Sequence, residues 1–230
     1  MTQPTGDSAQ PGITLWILDL TQPLPPGPTL QAAVVFTRAG PRETRELALA
    51  MNLADPAVVT QRFERGRHGY IGRIAGELVT YGWVTFDEEE IGEVSLSIHL
   101  KAGEAYIWHC ATLADYRGQR LYSALLRHIA GELQRMDLHR AWIGTDNTNL
   151  PSQNGALLAG FQPVGDIMIS LVAPARQTWL RGRPTASTQL VLDAHHALFG
   201  VIAGVEFPEK GGEASALDTE MAKKRRERRA

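Results

Sequence analysis

Apolar residues along the chain form short blocks that alternate with polar turns. A strand is indicated where apolar and β-branched residues alternate with polar ones, or form a short run bounded by turn residues. The run Asp87-Glu88-Glu89-Glu90 separates two such blocks and predicts an exposed turn. The ranges that meet the strand description are 13–20, 31–38, 70–74, 78–86, 93–100, 104–113, 141–145 and 162–171.

A longer period marks the helices. Leu121, Leu125, Ile129, Leu133 and Met136 recur every three or four residues, which places them on one side of a helix. Shorter helices are predicted over 41–52, 55–65 and 152–159. Strands interspersed with helices in this order predict an α/β fold, in which a mixed α+β sheet is covered by helices in an αβα layering.

The pattern also suggests how the chain is divided. Residues 13–173 are expected to form one domain, preceded by a disordered, Pro- and Gly-rich N-terminus over 1–12. From 174 to 205 the pattern weakens, and one more helix is expected over 190–204. Residues 206–230 are polar and finally basic, which predicts a disordered tail.

Composition excludes several classes of protein. The chain has 230 residues and a single cysteine, Cys110, so it has no internal disulfide framework and no four-cysteine zinc site. We expect no metal. No apolar run approaches the ~18 residues of a membrane span, and the polar N-terminus does not resemble a signal peptide. A soluble, cytoplasmic protein without membrane contacts is therefore predicted.

Charge is unevenly distributed. The net charge is −2, but residues 223–229 carry six basic side chains and one acidic one, so the rest of the chain is acidic. Phosphate contacts need a basic surface, so the acidic charge of the domain argues against nucleic-acid binding by it. Only the basic tail could supply such a contact.

Candidate chemistry lies where the apolar strand 104–113 leads into the long helix. A strand that turns directly into a helix leaves backbone N–H groups unpaired at the positive end of the helix dipole. That geometry suits a pyrophosphate. Arg117 and Arg120 lie in the turn and could add charge-assisted hydrogen bonds.

Two motifs give this region a family resemblance. Arg117-Gly118-Gln119-Arg120-Leu121-Tyr122 is followed by Asn149, Ser152 and Gly160-Phe161. In this order they resemble the signatures of the GCN5-related N-acetyltransferase (GNAT) superfamily over about residues 31–173. Arg120 and Tyr122 replace glycine positions of the family motif. We expect this to be tolerated, because a helical first turn does not require positive φ.

The resemblance implies a GNAT-like acyl-CoA N-acyltransferase that transfers acetyl from acetyl-CoA to an amine of a small molecule or peptide by direct attack. It implies an oxyanion donor near Thr112 and pairing of residues 110–113 with the pantetheine arm. The family's usual tyrosine acid is missing, because Ala156 stands at its position. The implied cofactor-binding residues are Cys110, Thr112, Leu113, Arg117, Gly118, Gln119, Arg120, Leu121, Tyr122, Asn149 and Ser152.

The catalytic base and the acceptor are left open. Glu104 and His109 are candidate bases, although each could equally be a structural or solvated residue. If the acidic run 87–90 borders the cleft, it favours a cationic acceptor. The alternative function is a CoA-binding sensor or scaffold without catalysis, which the lost glycines and Ala156 suggest. A homodimer is also compatible with the sequence.

Overall fold

The computed structural model describes residues 9–170 and 177–200. Disorder was predicted over 1–12; residues 1–8 lie outside this description, whereas residues 9–12 form the start of a strand, so that part of the prediction was wrong. The predicted tail 206–230 and the predicted end of the last helix at 204 also lie outside the described residues. None of the described helices is long and apolar enough to cross a membrane.

Eight strands form one twisted sheet in the order β10-β9-β1-β8-β7-β4-β3-β2. All neighbours are antiparallel except β7 and β8, which are parallel. A separate two-stranded sheet pairs β5 with β6. The strands are β1 (Ala9–Asp19), β2 (Val35–Arg38), β3 (His68–Ile74), β4 (Glu77–Thr85), β5 (Glu88–Ile91), β6 (Leu96–His99), β7 (Glu104–Thr112), β8 (Arg140–Asp146), β9 (Gln162–Ser170) and β10 (Gln177–Gly182).

Helices cover both faces of the large sheet, as the predicted αβα layering requires. α3 and α4 pack on one face, and α1, α2 and α5 pack on the other. A short 3-10 turn, Pro41–Glu43, precedes α1, so the predicted helix 41–52 is divided in two. The α-helices are α1 (Thr44–Ala50), α2 (Ala57–Glu64), α3 (Leu121–Arg135), α4 (Leu150–Leu158) and α5 (Thr188–Phe199).

The apolar stripe of α3 is the centre of the main core. Leu121, Leu125, Ile129 and Leu133 are all buried, as the spacing predicted. Met136 is not part of this stripe. The helix ends at Arg135, so Met136 follows its last turn and 43% of its surface is exposed.

The acidic run was wrongly predicted to be a turn. Glu88, Glu89 and Glu90 lie in β5, and the predicted strand 93–100 is reduced to β6. Arg67 explains why so acidic a strand is stable, since it forms ion pairs with Asp87 at 3.0 Å and Glu89 at 3.1 Å. Charge pairing from a distant part of the chain thus outweighs the low strand propensity of glutamate.

The large sheet extends beyond the predicted strands at β1 and at β10. β1 begins at Ala9, four residues earlier than expected, and includes Pro11. The proline is compatible with the sheet because β1 pairs with β8 only from Ile13 onward. β10 was not predicted, because an edge strand with one covered face needs few apolar residues.

Candidate active site

The parallel pairing of β7 with β8 stops halfway along β7. The last paired residues are Ile107 and Ile143, whereas β7 continues to Thr112. Leu113 donates its N–H to Val79 in β4 at 2.9 Å, so the preceding residue, Thr112, directs its peptide groups away from β4. This half of β7 therefore has an open backbone edge on the side of β8.

A β-bulge lies at the start of the open edge. Trp83 pairs with Trp108 and Tyr81 with Ala111, so β7 has one residue more than β4 over this interval. His109 takes up the extra length with a φ of 45°. As a result, Trp108 and His109 both lie on the α1–α2 face of the sheet. We call residues 108–110 the β7 bulge.

Cys110 lies on the opposite face, toward α3. A Cβ on Gly82 would lie 2.5 Å from the Cys110 Sγ, so glycine at that position makes room for the thiol. Burial raises the pKa of the Cys110 thiol to about 12. The side chain is thus a packing residue in its protonated form, not a nucleophile.

The turn after β7 ends in backbone of left-handed conformation. Gly118 has a φ of 78°, and Arg120, at the N-cap of α3, has a φ of 61°. The prediction that this turn does not require positive φ was therefore wrong. Glycine would suit the position of Arg120 because it adopts this conformation without strain.

The N-terminus of α3 has free donors. Its first helical hydrogen bond runs from the N–H of Ala124 to the carbonyl of Arg120 at 3.1 Å. The N–H groups of residues 121–123 consequently have no acceptor within the helix. Arg117 and Arg120 are exposed beside them, and the Nε of Arg117 donates to the Thr112 carbonyl at 3.3 Å. Free N–H groups, the helix dipole and two cations together suit a phosphate ligand.

A cavity of about 630 Å³ joins the open edge to this helix N-terminus, and we call it the α3 cavity. It brings together nine of the eleven residues expected to bind the cofactor. Leu113 and Gln119 do not line it, and Leu113 packs in the cluster under α1 and α2. The lining residues are Cys110, Ala111, Thr112, Tyr116, Arg117, Gly118, Arg120, Leu121, Tyr122, Ser123, Asn149, Pro151, Ser152, Asn154, Gly155 and Leu158.

The far wall of the α3 cavity is one face of α4, most of which sequence reasoning missed. Pro151, Asn154, Gly155 and Leu158 stand at positions i, i+3, i+4 and i+7, a spacing that marks one helix face and could have identified them. Asn149 supports this wall as the N-cap of α4, since its Oδ1 accepts from the Ser152 N–H at 3.1 Å.

Tyr122 packs across the α3 cavity onto α4. A Cβ on Gly155 would lie 2.3 Å from the Cδ1 of Tyr122, so the ring depends on the absence of a side chain there. Its hydroxyl interacts with the side chain of Ser152, and burial raises its pKa far above the usual value for tyrosine. The chain thus places a phenol from α3 beside Ala156, the position at which the resemblance leads one to expect a tyrosine from α4.

Glu104 does not line the α3 cavity. It is 3% exposed and forms an ion pair with Arg140 at 2.9 Å, and its other oxygen accepts from the indole of Trp142 at 3.3 Å. Arg140 also binds Asp193 of α5 at 2.9 Å. Glu104 therefore fastens β7 to β8 and α5, and this placement removes it from the candidate bases.

His109 contacts Arg62, a residue of α2 that lines a second, smaller cavity of about 330 Å³. The Nη1 of Arg62 lies 3.0 Å from the Nδ1 of His109. Because a guanidinium can only donate, Nδ1 is the acceptor and the ring proton is on Nε2. Burial, followed by the charge of Arg62, lowers the pKa of His109 to about 4. His109 is thus a neutral imidazole whose basic nitrogen is already occupied. We call this second cavity the α2 cavity. Its lining residues are Val58, Gln61, Arg62, Arg65, Arg67, Glu89, Glu90, Gly92 and Trp108.

Comparison with known proteins identifies this arrangement. Residues 41–161 match the family model described as the Acetyltransferase (GNAT) family, which is more than half of the chain. The chain belongs to the GNAT family. No curated protein sequence matches it.

Two solved structures illustrate the shared GNAT fold. An acetyltransferase of the GNAT family from Colwellia psychrerythraea aligns with a TM-score of 0.50 at 15% identity, over 70% of this chain and 56% of that one. A GCN5-related N-acetyltransferase from Sphaerobacter thermophilus aligns with a TM-score of 0.51 at 15% identity, over 76% and 55% of the two chains. This GNAT chain therefore spans little more than half the length of these relatives.

Metal ligands are not grouped in the parts of this GNAT protein that the structure describes. Over residues 9–170 and 177–200, no three His, Cys, Asp or Glu side chains converge in a way that could hold a metal ion.

Proposed function

We propose that this GNAT protein is an N-acetyltransferase that uses acetyl-CoA and acts on the amine of a small molecule or peptide in the cytoplasm. The observation that carries the proposal is the open edge of β7, which leads along the α3 cavity to the free N–H groups of α3. An extended amide chain that ends in a pyrophosphate matches both parts at once.

Residues of the α3 cavity would hold the two ends of acetyl-CoA in different ways. The peptide groups on the open edge of β7, which face away from β4 and include the N–H of Thr112, would pair with the pantetheine amides, as a neighbouring strand would. The N–H groups of residues 121–123, with Arg117 and Arg120, would bind the pyrophosphate. Gly118 leaves open space on this path, since a Cβ there would meet nothing within 4 Å.

Acetyl-CoA supplies an acetyl thioester, which an unprotonated amine attacks directly. The peptide N–H of Thr112, on the open edge, would stabilise the oxyanion that develops. The hydroxyl of Tyr122 would donate a hydrogen bond to the departing thiolate. Its raised pKa means that it keeps its proton, so we assign it a stabilising role and not the transfer of a proton. His109 is too weakly basic to take the proton that the amine nitrogen loses as the amide forms. That proton would pass to solvent, and CoA would leave as the thiolate and take up a proton from water.

Calorimetry with acetyl-CoA and with CoA tests the donor half of the proposal. We expect binding of both, weakened in Arg117→Ala. The matched control is Arg45→Ala, which removes a charge from an exposed position on α1. Absence of binding at millimolar concentration would refute the proposed function.

Thiol release over a panel of amines tests catalysis. Ala156, at the position where the resemblance implies a tyrosine, favours the second candidate function, a CoA-binding module without turnover. Binding of acetyl-CoA with no amine-dependent thiol release would support that alternative. A single amine that is acetylated would eliminate it.

A further inference from the structure

Arg62 is a half-buried cation without a carboxylate partner. Its guanidinium lies 4.5 Å from the ring centre of Trp108 and 5.1 Å from that of Trp83. Its hydrogen bonds are to the Nδ1 of His109 at 3.0 Å and to the Sδ of Met51 at 3.9 Å. Among the residues that the structure describes, no Asp or Glu oxygen lies within ion-pair distance of it.

The neighbouring cation shows the contrast. Arg67 lines the same α2 cavity and is paired with Asp87 and Glu89. The carboxylate of Glu89, whose negative charge acts on Arg62, is already hydrogen-bonded to the Nε of Arg67 at 3.1 Å. Glu90 is exposed and completes the acidic part of the lining. The α2 cavity therefore retains a positive charge that its own carboxylates do not neutralise.

The two indole rings make Arg62 a suitable anion receptor. Burial of a cation is costly unless an anion or several acceptors satisfy its donors. A guanidinium has five N–H groups in a fixed plane and binds a carboxylate through two of them. Because Trp83 and Trp108 hold that plane, little side-chain entropy is left to lose when an anion binds.

Arg62 also lies next to the place where the acceptor must arrive. Trp108 lines the α2 cavity and Cys110 lines the α3 cavity, so the β7 bulge separates the two. His109, between them, is in direct contact with Arg62. An anion bound to Arg62 would therefore be close to the open edge at which the thioester is expected.

Resting on the proposed transferase function, we propose that Arg62 is a specificity-determining residue that binds a carboxylate of the acceptor. The acceptor class is an amine with a carboxylate a few bonds from its nitrogen, as in a free amino acid. This reverses the cationic acceptor expected from the acidic run, because Arg67 neutralises part of that run.

The test compares three acceptors that share a side chain: an amino acid, its amide and its decarboxylated amine. They are assayed by thiol release from acetyl-CoA at equal concentrations of free amine. We expect kcat/KM for the amino acid to exceed that for the other two by about 10- to 100-fold, the usual effect of one charge-assisted pair. Arg62→Met should abolish this preference by raising KM, whereas Arg45→Met, which removes the same charge from exposed α1, should leave it unchanged.

Folding and binding are checked separately from turnover. An unchanged affinity of Arg62→Met for acetyl-CoA shows that the variant is folded. If Arg62→Met is not folded, Arg62→Lys serves instead, because lysine keeps the charge but lacks the planar pair of donors. We expect Arg62→Lys to lose most of the preference for the amino acid over its amide and amine. Quenching of Trp83 and Trp108 fluorescence by an N-acetyl amino acid, and not by its amide, measures the anion site without catalysis.

The outcomes separate this inference from the proposed function. If acetyl-CoA binds and amides or simple amines are acetylated as well as amino acids, the carboxylate assignment is wrong and the transferase function stands. A preference that survives Arg62→Met also overturns it. If no amine is acetylated, the transferase function fails. The anion site is then decided by fluorescence alone: saturable quenching of tryptophan fluorescence that needs both Arg62 and the carboxylate supports the site, and its absence refutes it.

Discussion

Replacement of Arg120 separates two effects that the structure places at one residue. The backbone at Arg120 is left-handed, with a φ of 61°, and the exposed side chain lines the α3 cavity beside the free N–H groups of α3. Arg120→Ala removes the guanidinium and keeps the backbone strain. Arg120→Gly removes both. The pair of variants therefore reports on the strain and on the charge independently.

The expected magnitudes follow from these two contributions. A left-handed residue other than glycine costs roughly 1–2 kcal/mol, and the greater freedom of glycine in the unfolded chain offsets about 0.5–1 kcal/mol of the relief. Arg120→Gly should therefore be about 0.5–1 kcal/mol more stable than Arg120→Ala. In a protein of this size this corresponds to a Tm difference of about 1–4 °C. An exposed cation beside a pyrophosphate contributes about 1 kcal/mol, so both variants should bind CoA about fivefold more weakly.

Thermal unfolding and calorimetry with CoA measure the two quantities. Dephospho-CoA keeps the pyrophosphate but lacks the 3′-phosphate, and we expect the same loss of affinity for it. The reasoning about the backbone is refuted if Arg120→Gly is no more stable than Arg120→Ala. The reasoning about the charge is refuted if Arg120→Ala binds CoA as tightly as the parent.

Three further outcomes are expected. Tyr122→Phe should lower kcat by about tenfold with little change in acetyl-CoA affinity, because one hydrogen bond to the leaving thiolate is worth about 1.4 kcal/mol. An unchanged kcat in steady-state thiol release would contradict the role of Tyr122 as a hydrogen-bond donor to the thiolate. Glu104→Ala should lower the free energy of unfolding by about 1–3 kcal/mol, because the buried Trp142 indole loses its acceptor and Arg140 keeps only Asp193 as an ion-pair partner. KM for the amine should be unchanged, and chemical denaturation together with kinetics checks both. Burial and Arg62 lower the pKa of His109 to about 4 in the folded protein, whereas its pKa in the unfolded chain is near 6.5. The stabilisation by neutral His109 is therefore complete above pH 6.5 and is lost as the pH falls toward 4. The NMR signals of its ring should not titrate between pH 8 and 5, and a titration midpoint near 6.5 would show that the ring is solvated.

Local patterns in the sequence were sufficient for the elements that bury one face. The spacing of Leu121, Leu125, Ile129 and Leu133 predicted α3, because a stripe at helical spacing has one way to be buried. β7 was predicted for a similar reason, with an end only one residue from that observed. Arg117 and Arg120 followed from the strand-to-helix turn, whereas the other predicted cavity residues came from the family resemblance.

Features that depend on distant residues could not be predicted in this way. The acidic strand β5 depends on Arg67, which lies about twenty residues earlier in the chain. Glu104 is a structural carboxylate because Arg140 forms ion pairs with both Glu104 and Asp193. These three residues are far apart in the sequence, so no local pattern predicts the contact. Arg62 reads in the sequence as one more charged residue on a helix, and only tertiary packing places two indoles against it.

The left-handed backbone at Arg120 was missed for a different reason. A glycine at that position would have indicated positive φ, whereas arginine gives no such signal. The resemblance supplied the family's residue at this position but not the backbone reason for it. Substitution of a glycine thus hid the geometry that the glycine would have revealed.

The open edge of β7 has a consequence for how far this sequence can change. An edge of this kind is recognised through amide groups, which every residue except proline possesses in full. Recognition at the edge therefore sets no requirement on the side chains of β7, which are constrained only by packing and by the need to keep the strand separated from β8. The same thioester donor could then be retained while residues such as Arg62 are replaced to admit a different amine. A change of acceptor would therefore require few substitutions, and none along the edge itself.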